Sequence, residues 1–558
     1  MLPCRTLFPN RLWRAWRPVS VSAGQADSGE KPRASRIPWI KPVGWPTGIV
    51  VRNSLSRDRQ PLLLARPNTA TWYSCGPTVY DHTHLGHACT YMRFDIIRRI
   101  MMHIFGINVV MAMVVTDIDD KIIKRSQELG VTPNTLTQRY EDDFKENMKA
   151  LRVLPPSMYF RVTDHIPAIL DFVKQLMQKG NAYATTRGDV YFDVSSIGQR
   201  YGRFREVLSN YISNDGEAAH EKRAAPDFAL WKASRPGEPA WEAPWGAGRP
   251  GWHIECSAIS SMAFGGQLDL HSGGEDLAFP HHENEVAQSE AFHGTPQWCN
   301  YFLHTGHLRL HGSEEKMSKS MKNYITVKDF LEKHSPDEFR MFCLQSKYSS
   351  QVEFGPESLQ AARGVLRSIS NFRDSAKAYI SGIQTSTAFA EVPLWERLHE
   401  TEGEVKTVLA NDFNTPEALE IITRLIHDTN MVLQPHVENT SGSRSPAVIA
   451  AVLAFVERIL ENFGLQVSDS GDASTSDSSA VLPTVLDSLV AFRAGVRVLA
   501  LAREATTSGV QEETLLFRKR LLKACDNTRD ELASAGVQIK DYGDRSTWKI
   551  VDPNLRRT

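Results

Sequence analysis

The chain has 558 residues, 41% of them apolar, with a formal net charge of −1, enough for three or four domains with a sizeable core. That balance excludes a global electrostatic bias, so any nucleic-acid surface has to be a local patch. Seven cysteines spread over this length exclude a disulfide framework and fit a reducing compartment, and no run of eighteen apolar residues is present to span a membrane.

The first residues differ from the rest. Arg5, Arg11, Arg14 and Arg17 stand among Leu, Phe and Trp, and no acid precedes Asp27. An Arg-rich, acid-poor start without an apolar h-region fits an organelle presequence better than a secretory signal. Residues 1–40 are therefore expected to be a mitochondrial transit segment, cleaved before about Lys41.

Residues 70–75 (ATWYSC) predict a strand that runs into a turn at Gly76-Pro77. Ala88, Tyr91, Phe94, Ile97, Met101 and Ile104 then repeat at helical spacing, with Gly106 as a stop. The apolar run NVVMAMVV (108–115) is that of a buried parallel strand. Strand, helix and parallel strand form a βαβ unit, which predicts a doubly wound α/β domain over 41–334. Residues 125–225 are expected to be a mixed insertion, and 251–310 short strands with one helix. From 335 the pattern is helical up to 466, and VSDSGDASTSDSS (467–479) is a linker by composition. Residues 482–558 form a small last unit.

Three stretches carry chemistry. In CGPTVYDHTHLGH (75–87), His84 and His87 flank Gly86 where a helix following a strand would begin. Such a helix start offers unpaired N–H groups to anions, and two imidazoles there could stabilise developing phosphate charge. A polar helix start alone would look the same. In GSEEKMSKSMKNY (312–324), Lys316, Lys319 and Lys322 alternate with small hydroxyl residues, either as a solvated charge run or as a loop reaching phosphate. In PHHENEVAQSE (280–290), His281 and Glu285 stand i, i+4 and share a face of a helix opened by Pro280. Two ligands do not make a tetrahedral site. Soft thiolates are the natural completion, and Cys75 and Cys256 (in GWHIEC) are candidates. His282 should point about a hundred degrees away, and Glu283 and Asn284 are expected to be solvated or capping groups. A zinc peptidase is excluded, because HExxH needs a histidine where Val286 stands.

HLGH (84–87) and KMSKS (316–320) together resemble the nucleotide-binding motifs of class I aminoacyl-tRNA synthetases. WYSCGPTVYD (72–81), TDIDDKIIKR (116–125), DFALWK (227–232), GWHIECSA (251–258) and FPHHENEVAQS (279–289) narrow the resemblance to cysteinyl-tRNA synthetases. SPDEFRMF (335–342), NDFNTPEAL (411–419) and VQIKDYGDRSTWK (537–549) resemble that family's later elements, so the likeness spans about 45–550. The one departure is Leu85 inside the HIGH motif.

The resemblance implies a Rossmann-like catalytic domain, a helical tRNA-binding domain and a C-terminal anticodon-binding domain. It implies zinc on Cys75, Cys256, His281 and Glu285, with ATP, Mg²⁺, L-cysteine and tRNA(Cys) as reactants. Gly76, Thr116, Trp252 and His281 would hold the cysteine; Trp252 could equally be an ordinary buried aromatic. His84, Gly86, His87 and Lys319 would contact ATP, with His84, His87, Lys316 and Lys319 as the catalytic set. By resemblance alone, Lys121 and Lys124, with Lys316 and Lys319, could carry pyridoxal phosphate for a cysteine persulfide activity; otherwise Lys121 and Lys124 lie on a charged helix. Arg518, Lys519, Arg520, Lys523, Trp548 and Lys549 could meet RNA, but each is also accounted for as a surface residue, and none is assigned. A monomer in the mitochondrial matrix, without a membrane, is expected. The alternative is a ligase joining cysteine to an amino sugar, which lacks the long region that follows KMSKS here.

Overall fold

The computed structural model describes residues 38–204, 221–312, 317, 324–384, 389–434, 445–466, 481–501, 511–543 and 545–551. The expected transit segment, the linker 467–479, Lys316 and Lys319 lie outside these. After a hairpin of β1 (Trp45–Asn53) and β2 (Asp58–Leu64), the chain builds a βαβ unit from β3 (Thr69–Thr78), α1 (Leu85–His103) and β4 (Asn108–Thr116). Then come α2 (Asp120–Leu129), α3 (Pro133–Ala150), β5 (Met158–Arg161) and α4 (Ile166–Gln178). The strands β6 (Ala182–Ala184), β7 (Val190–Phe192), β8 (Phe228–Ala233) and β9 (Gly248–Pro250) form a separate antiparallel sheet. The chain returns through α5 (Trp252–Phe264), β10 (Leu268–Gly274), α6 (Glu283–His293) and β11 (Cys299–Thr305).

The central sheet is parallel throughout, in the order β11-β10-β3-β4-β5. The order reverses between β3 and β10, and in open α/β sheets the crevice beyond the carboxyl ends of such a pair is where ligands bind. Both faces are covered, which explains the continuous apolar run in β4. Trp72, Met111, Met113, Leu270 and Tyr301 pack on the α1 side, while Tyr73, Ala112, Val114 and Phe302 meet the core shared by α4, α5 and α6. The period of two along each strand separates these sets.

Three boundaries differ from those read in the sequence. Within 125–225, β5 belongs to the parallel sheet, and β6 and β7 pair onward to β8 and β9, so the antiparallel addition runs over 182–250. Four residues of strand are too short to show a period. Residues 251–310 hold two helices, because the near-uniform burial of α5 and α6 erases helical amphipathicity. Gly76 and Pro77 belong to β3 as an irregularity between Cys75 and Thr78, and do not form a free turn.

Beyond β12 (Leu308–Leu310), α7 (Val327–Leu331), α8 (Pro336–Leu344) and β13 (Val352–Phe354), the chain is helical: α9 (Pro356–Ile380), α10 (Val392–Ala410), α11 (Thr415–Leu433) and α12 (Pro446–Asn462). These helices share one core with α1 and the sheet. A last unit joins α13 (Val481–Leu501), α14 (Gln511–Ser534) and the hairpin β14 (Val537–Tyr542)–β15 (Arg545–Ile550). Lys540 and Lys549 dock it on Asp374 of α9. All described cysteines are free, and no described helix is long and apolar enough to cross a membrane.

The catalytic and helical parts are joined by a buried ion pair. Arg340 of α8 meets Asp95 of α1, and its guanidinium also donates to the carbonyls of Arg152 (2.9 Å) and Phe463 (3.2 Å). Asp95 also accepts from Arg99 Nε at 2.8 Å and from Leu154 N at 2.8 Å. Removing one partner of a buried pair strands the other charge. Asp95→Ala should therefore destabilise the protein by roughly 3–5 kcal/mol, whereas an apolar replacement of both, Asp95→Leu/Arg340→Met, should recover part of that loss. Urea midpoints of the three proteins check this.

Candidate active site

The crevice at the β3/β10 reversal holds the chemistry. Cys75 lies near the end of β3, Cys256 in the second turn of α5, and Glu285 in the first turn of α6. Pro280 does not open a regular helix. A π-type turn (Ala278–His282) precedes α6, and it still sets His281 Nε2 3.1 Å from Glu285 Oε1. Cys75 Sγ is 3.8 Å from Cys256 Sγ and 3.6 Å from Glu285 Oε1. All four side chains are buried, with their donor atoms within 4.8 Å of one another.

These distances can be tested against one ion. For zinc with bonds of about 2.3 Å to sulfur and about 2.1 Å to oxygen or nitrogen, tetrahedral edges are about 3.8 Å (S···S), about 3.6 Å (S···O) and about 3.4 Å (N···O). The observed 3.8, 3.6 and 3.1 Å fit that figure. The electrostatics agree. Burial, followed by the neighbouring Cys256 and Glu285, pushes the Cys75 thiol well up, and burial pushes Cys256 up. Burial also holds His281 and His282 well below the usual imidazole value, hence neutral and able to donate a lone pair. A cation among these donors would favour the thiolate forms, so the set fits a metal ion.

The surroundings correct several expectations. His282 does not point away: its Nε2 is 3.4 Å from Cys75 Sγ and its Nδ1 2.7 Å from His304 Nε2. His271, missed in the sequence, lies 2.8 Å from Glu285 Oε2, so Cys75, His271, His282 and Glu285 form a second, overlapping donor set. That set has one thiol where the first has two, and His271 already engages the second carboxylate oxygen. His253 Nδ1 contacts His281 Nδ1 at 3.0 Å and leaves Nε2 facing the cluster. Glu283 and Asn284 are buried, not solvated. Glu283 accepts from Gly202 N (2.8 Å) and Phe204 N (2.7 Å), and Asn284 from Tyr201 Oη (2.6 Å), which pins 201–204 over α6. Trp252 is 39% exposed, no ordinary buried aromatic, and its ring stacks on His281 at 4.2 Å. Thr116, at the end of β4, donates to the buried Glu255 at 3.2 Å.

The two nucleotide words meet. His84 is the N-cap of α1, accepting from His87 N at 3.3 Å, and the two rings stack at 3.9 Å. A Cβ on Gly86 would lie 2.9 Å from the His84 ring and 3.3 Å from Met317 O, so Met317 of KMSKS packs against HLGH. Leu85 N donates to Ile325 O at 2.9 Å. Gly76 has a structural need of its own, since a Cβ there would fall 1.8 Å from Val114 O. Lys121 and Lys124 are exposed on α2.

Comparison with known proteins agrees with this geometry. The profile of the tRNA synthetases class I (C) catalytic domain matches residues 62–364. A probable mitochondrial cysteine–tRNA ligase of Xenopus tropicalis is 50% identical over 98% of both chains. The cysteine–tRNA ligase of Thermococcus onnurineus is 38% identical over 90% of this chain and 99% of its own. The chain belongs to the cysteine–tRNA ligases. The fold of this ligase also resembles the methionyl-tRNA synthetase of Mycobacterium tuberculosis bound to methionyl-adenylate, at a TM-score of 0.54 and 16% identity, over 71% of this chain and 89% of that one.

Next to the ligase's crevice, His307 sits between Glu275 and Asp276 at the foot of the KMSKS segment, 3.3 Å from Asp276. Burial alone would lower its pKa, but hydrogen bonds and charge from Asp276 and Glu275 outweigh that and hold it at about 9. With the folded value raised, the clamp's stability is fully present below the unfolded histidine pKa and is lost as pH rises through about 9. The contribution is at most about 3 kcal/mol. His307→Gln should remove the loss of melting temperature between pH 7 and pH 9.5 that is specific to this group, as differential scanning calorimetry of the two proteins at both pH values would show.

Proposed function

We propose that this ligase activates L-cysteine with ATP and transfers it to tRNA(Cys) in the mitochondrial matrix, with one zinc ion on Cys75, Cys256, His281 and Glu285. The observation that carries the reading is the buried set of two thiols, one imidazole and one carboxylate beside the His84–His87 helix start. The name of the Xenopus relative and the Arg-rich start of the chain support the location. The relatives matched along their whole length are named tRNA ligases, and nothing favours the amino-sugar alternative.

A hydroxymethyl group and a thiomethyl group differ little in shape, so rejection of serine needs a contact with sulfur itself. Bound Zn²⁺ supplies a soft Lewis acid that favours a thiolate over a hydroxyl. The chain's residues do the remainder. Cys75, Cys256, His281 and Glu285 fix where the sulfur goes; His271 and His253 orient Glu285 and His281; Trp252 covers His281 at the solvent side. Gly76 and Thr116, at adjacent strand ends, border the substrate. The cysteine carboxylate attacks the α-phosphorus of ATP and diphosphate leaves. His84, His87, Lys316 and Lys319 stabilise the charge that develops on phosphate, with Gly86 keeping the approach open; positioning and charge stabilisation replace any protein nucleophile. A terminal ribose hydroxyl of the tRNA then attacks the cysteinyl carbonyl and AMP leaves. Mg²⁺ accompanies ATP.

Cys256→Ser should lower kcat/KM in cysteine-dependent ATP–diphosphate exchange by at least about 100-fold, or about 3 kcal/mol. Bound zinc, measured by atomic absorption, should fall with it. A zinc-free Cys256→Ala protein that activates cysteine fully would overturn the reading. The double variant Lys316→Ala/Lys319→Ala should retain zinc and lose activation, separating nucleotide chemistry from sulfur recognition.

A further inference from the structure

The last unit leaves one face of α13 uncovered. Leu486, Val490, Arg493, Ala494 and Ala500 turn inward, and Arg493 pairs with Asp541 at 2.6 Å. On the adjoining face, about 100° round the helix, Leu482, Val485, Leu489, Phe492, Val496 and Leu499 follow one another at spacings of three and four. Phe492 is 71% and Leu499 73% exposed, and among these six only Val496 is intermediate. A seam of this period, about 25 Å long, is what one helix offers to another.

The order of side chains along the seam identifies the partner. Read from either end it is Leu, Val, then a large residue. Turning a second α13 antiparallel about an axis between Val490 and Ala491 sets Leu482 against Leu499, Val485 against Val496 and Leu489 against Phe492. A two-fold interface requires this kind of self-complementarity. Ser488 and Gly495 flank the seam with little bulk. The charged residues of α13 are already engaged inside the unit: Asp487 by Trp548 Nε1 (2.7 Å), and Arg493 and Arg497 by Asp541. No stranded charge therefore opposes the approach. Covering both faces would remove roughly 1,000 Å² in total, at the threshold for a specific dimer. Neighbouring parts of the chain are poorly suited to fill the seam. Residues 467–480 and 502–510 carry only Val467 and Val510 as sizeable apolar side chains.

We infer that α13 is a homodimer interface, two copies pairing antiparallel through this seam. This departs from the single-chain expectation of the sequence. Sedimentation of the full-length protein at micromolar concentration should give twice the monomer mass. Phe492→Glu should weaken dimerisation about 100-fold while leaving cysteine-dependent ATP–diphosphate exchange unchanged, which also shows that the variant folds. Under oxidised glutathione, Leu482→Cys/Leu499→Cys should form an intermolecular disulfide that neither single variant forms. Three results would overturn the inference: a full-length chain that stays monomeric, whether or not deletion of residues 1–37 frees the face; a Phe492→Glu protein that dimerises as before; or cross-linking of the single variants.

Discussion

A carboxylate and two thiols are buried together in this protein, and much of the catalytic domain is arranged to make that tolerable. Glu285 is fully enclosed with Cys75 and Cys256 around it. An isolated charge in such a place is prohibitive unless paired. His271 engages one carboxylate oxygen, and neutral imidazoles face the other. What remains is a buried set of two thiols, an imidazole and a carboxylate whose donor atoms converge closely enough to fit one cation. On the proposed reading sulfur specificity follows from the same set, because two thiolate ligands would leave a bound cation with a soft character.

Sheet topology brings these residues together from positions 75 to 285. The reversal between β3 and β10 opens the crevice, β3 supplies Cys75, and the helices after β9 and β10 deliver Cys256, His281 and Glu285. The N-cap of the helix after β3 is His84, so Cys75 of the buried donor set and the His84–His87 helix start are two products of one strand end. The twelve-residue run from Cys75 through Gly86 thus links the buried donor set to the helix start. Gly76 and Gly86 sit where a side chain would strike backbone or ring, which is why this run has so little freedom to vary.

Much of this was legible in the sequence, and the gaps have physical causes. The βαβ unit announced itself through a continuous apolar strand and a helical repeat, since burial on one or two faces leaves a period. The pairing of His281 with Glu285 followed from the i, i+4 spacing, although the helix proper begins two residues later. Residues whose surroundings come from distant segments left no such mark. His271 lies within an apolar strand, LDLHSGG, where a histidine reads as an interruption. Glu283 and Asn284 look like solvated helix-start residues until Tyr201, Gly202 and Phe204 are placed over them. β5 escaped notice because four residues carry no period, and of the two helices in 251–310 only one was expected because the burial of both is nearly uniform.

The junction of Asp95 with Arg340 lies about 11 residues along α1 from His84, or roughly 16 Å of helix. A rigid rod pinned at that distance converts angle into displacement. A tilt of only about 2° at the pin moves the imidazole end by about 0.6 Å, comparable to the tolerance of a catalytic constellation. The buried pair between the two parts of the molecule therefore acts as an alignment pin for chemistry that it never touches. Substitutions around Phe463 or Arg152 would be felt first as a displacement of the His84 end of α1.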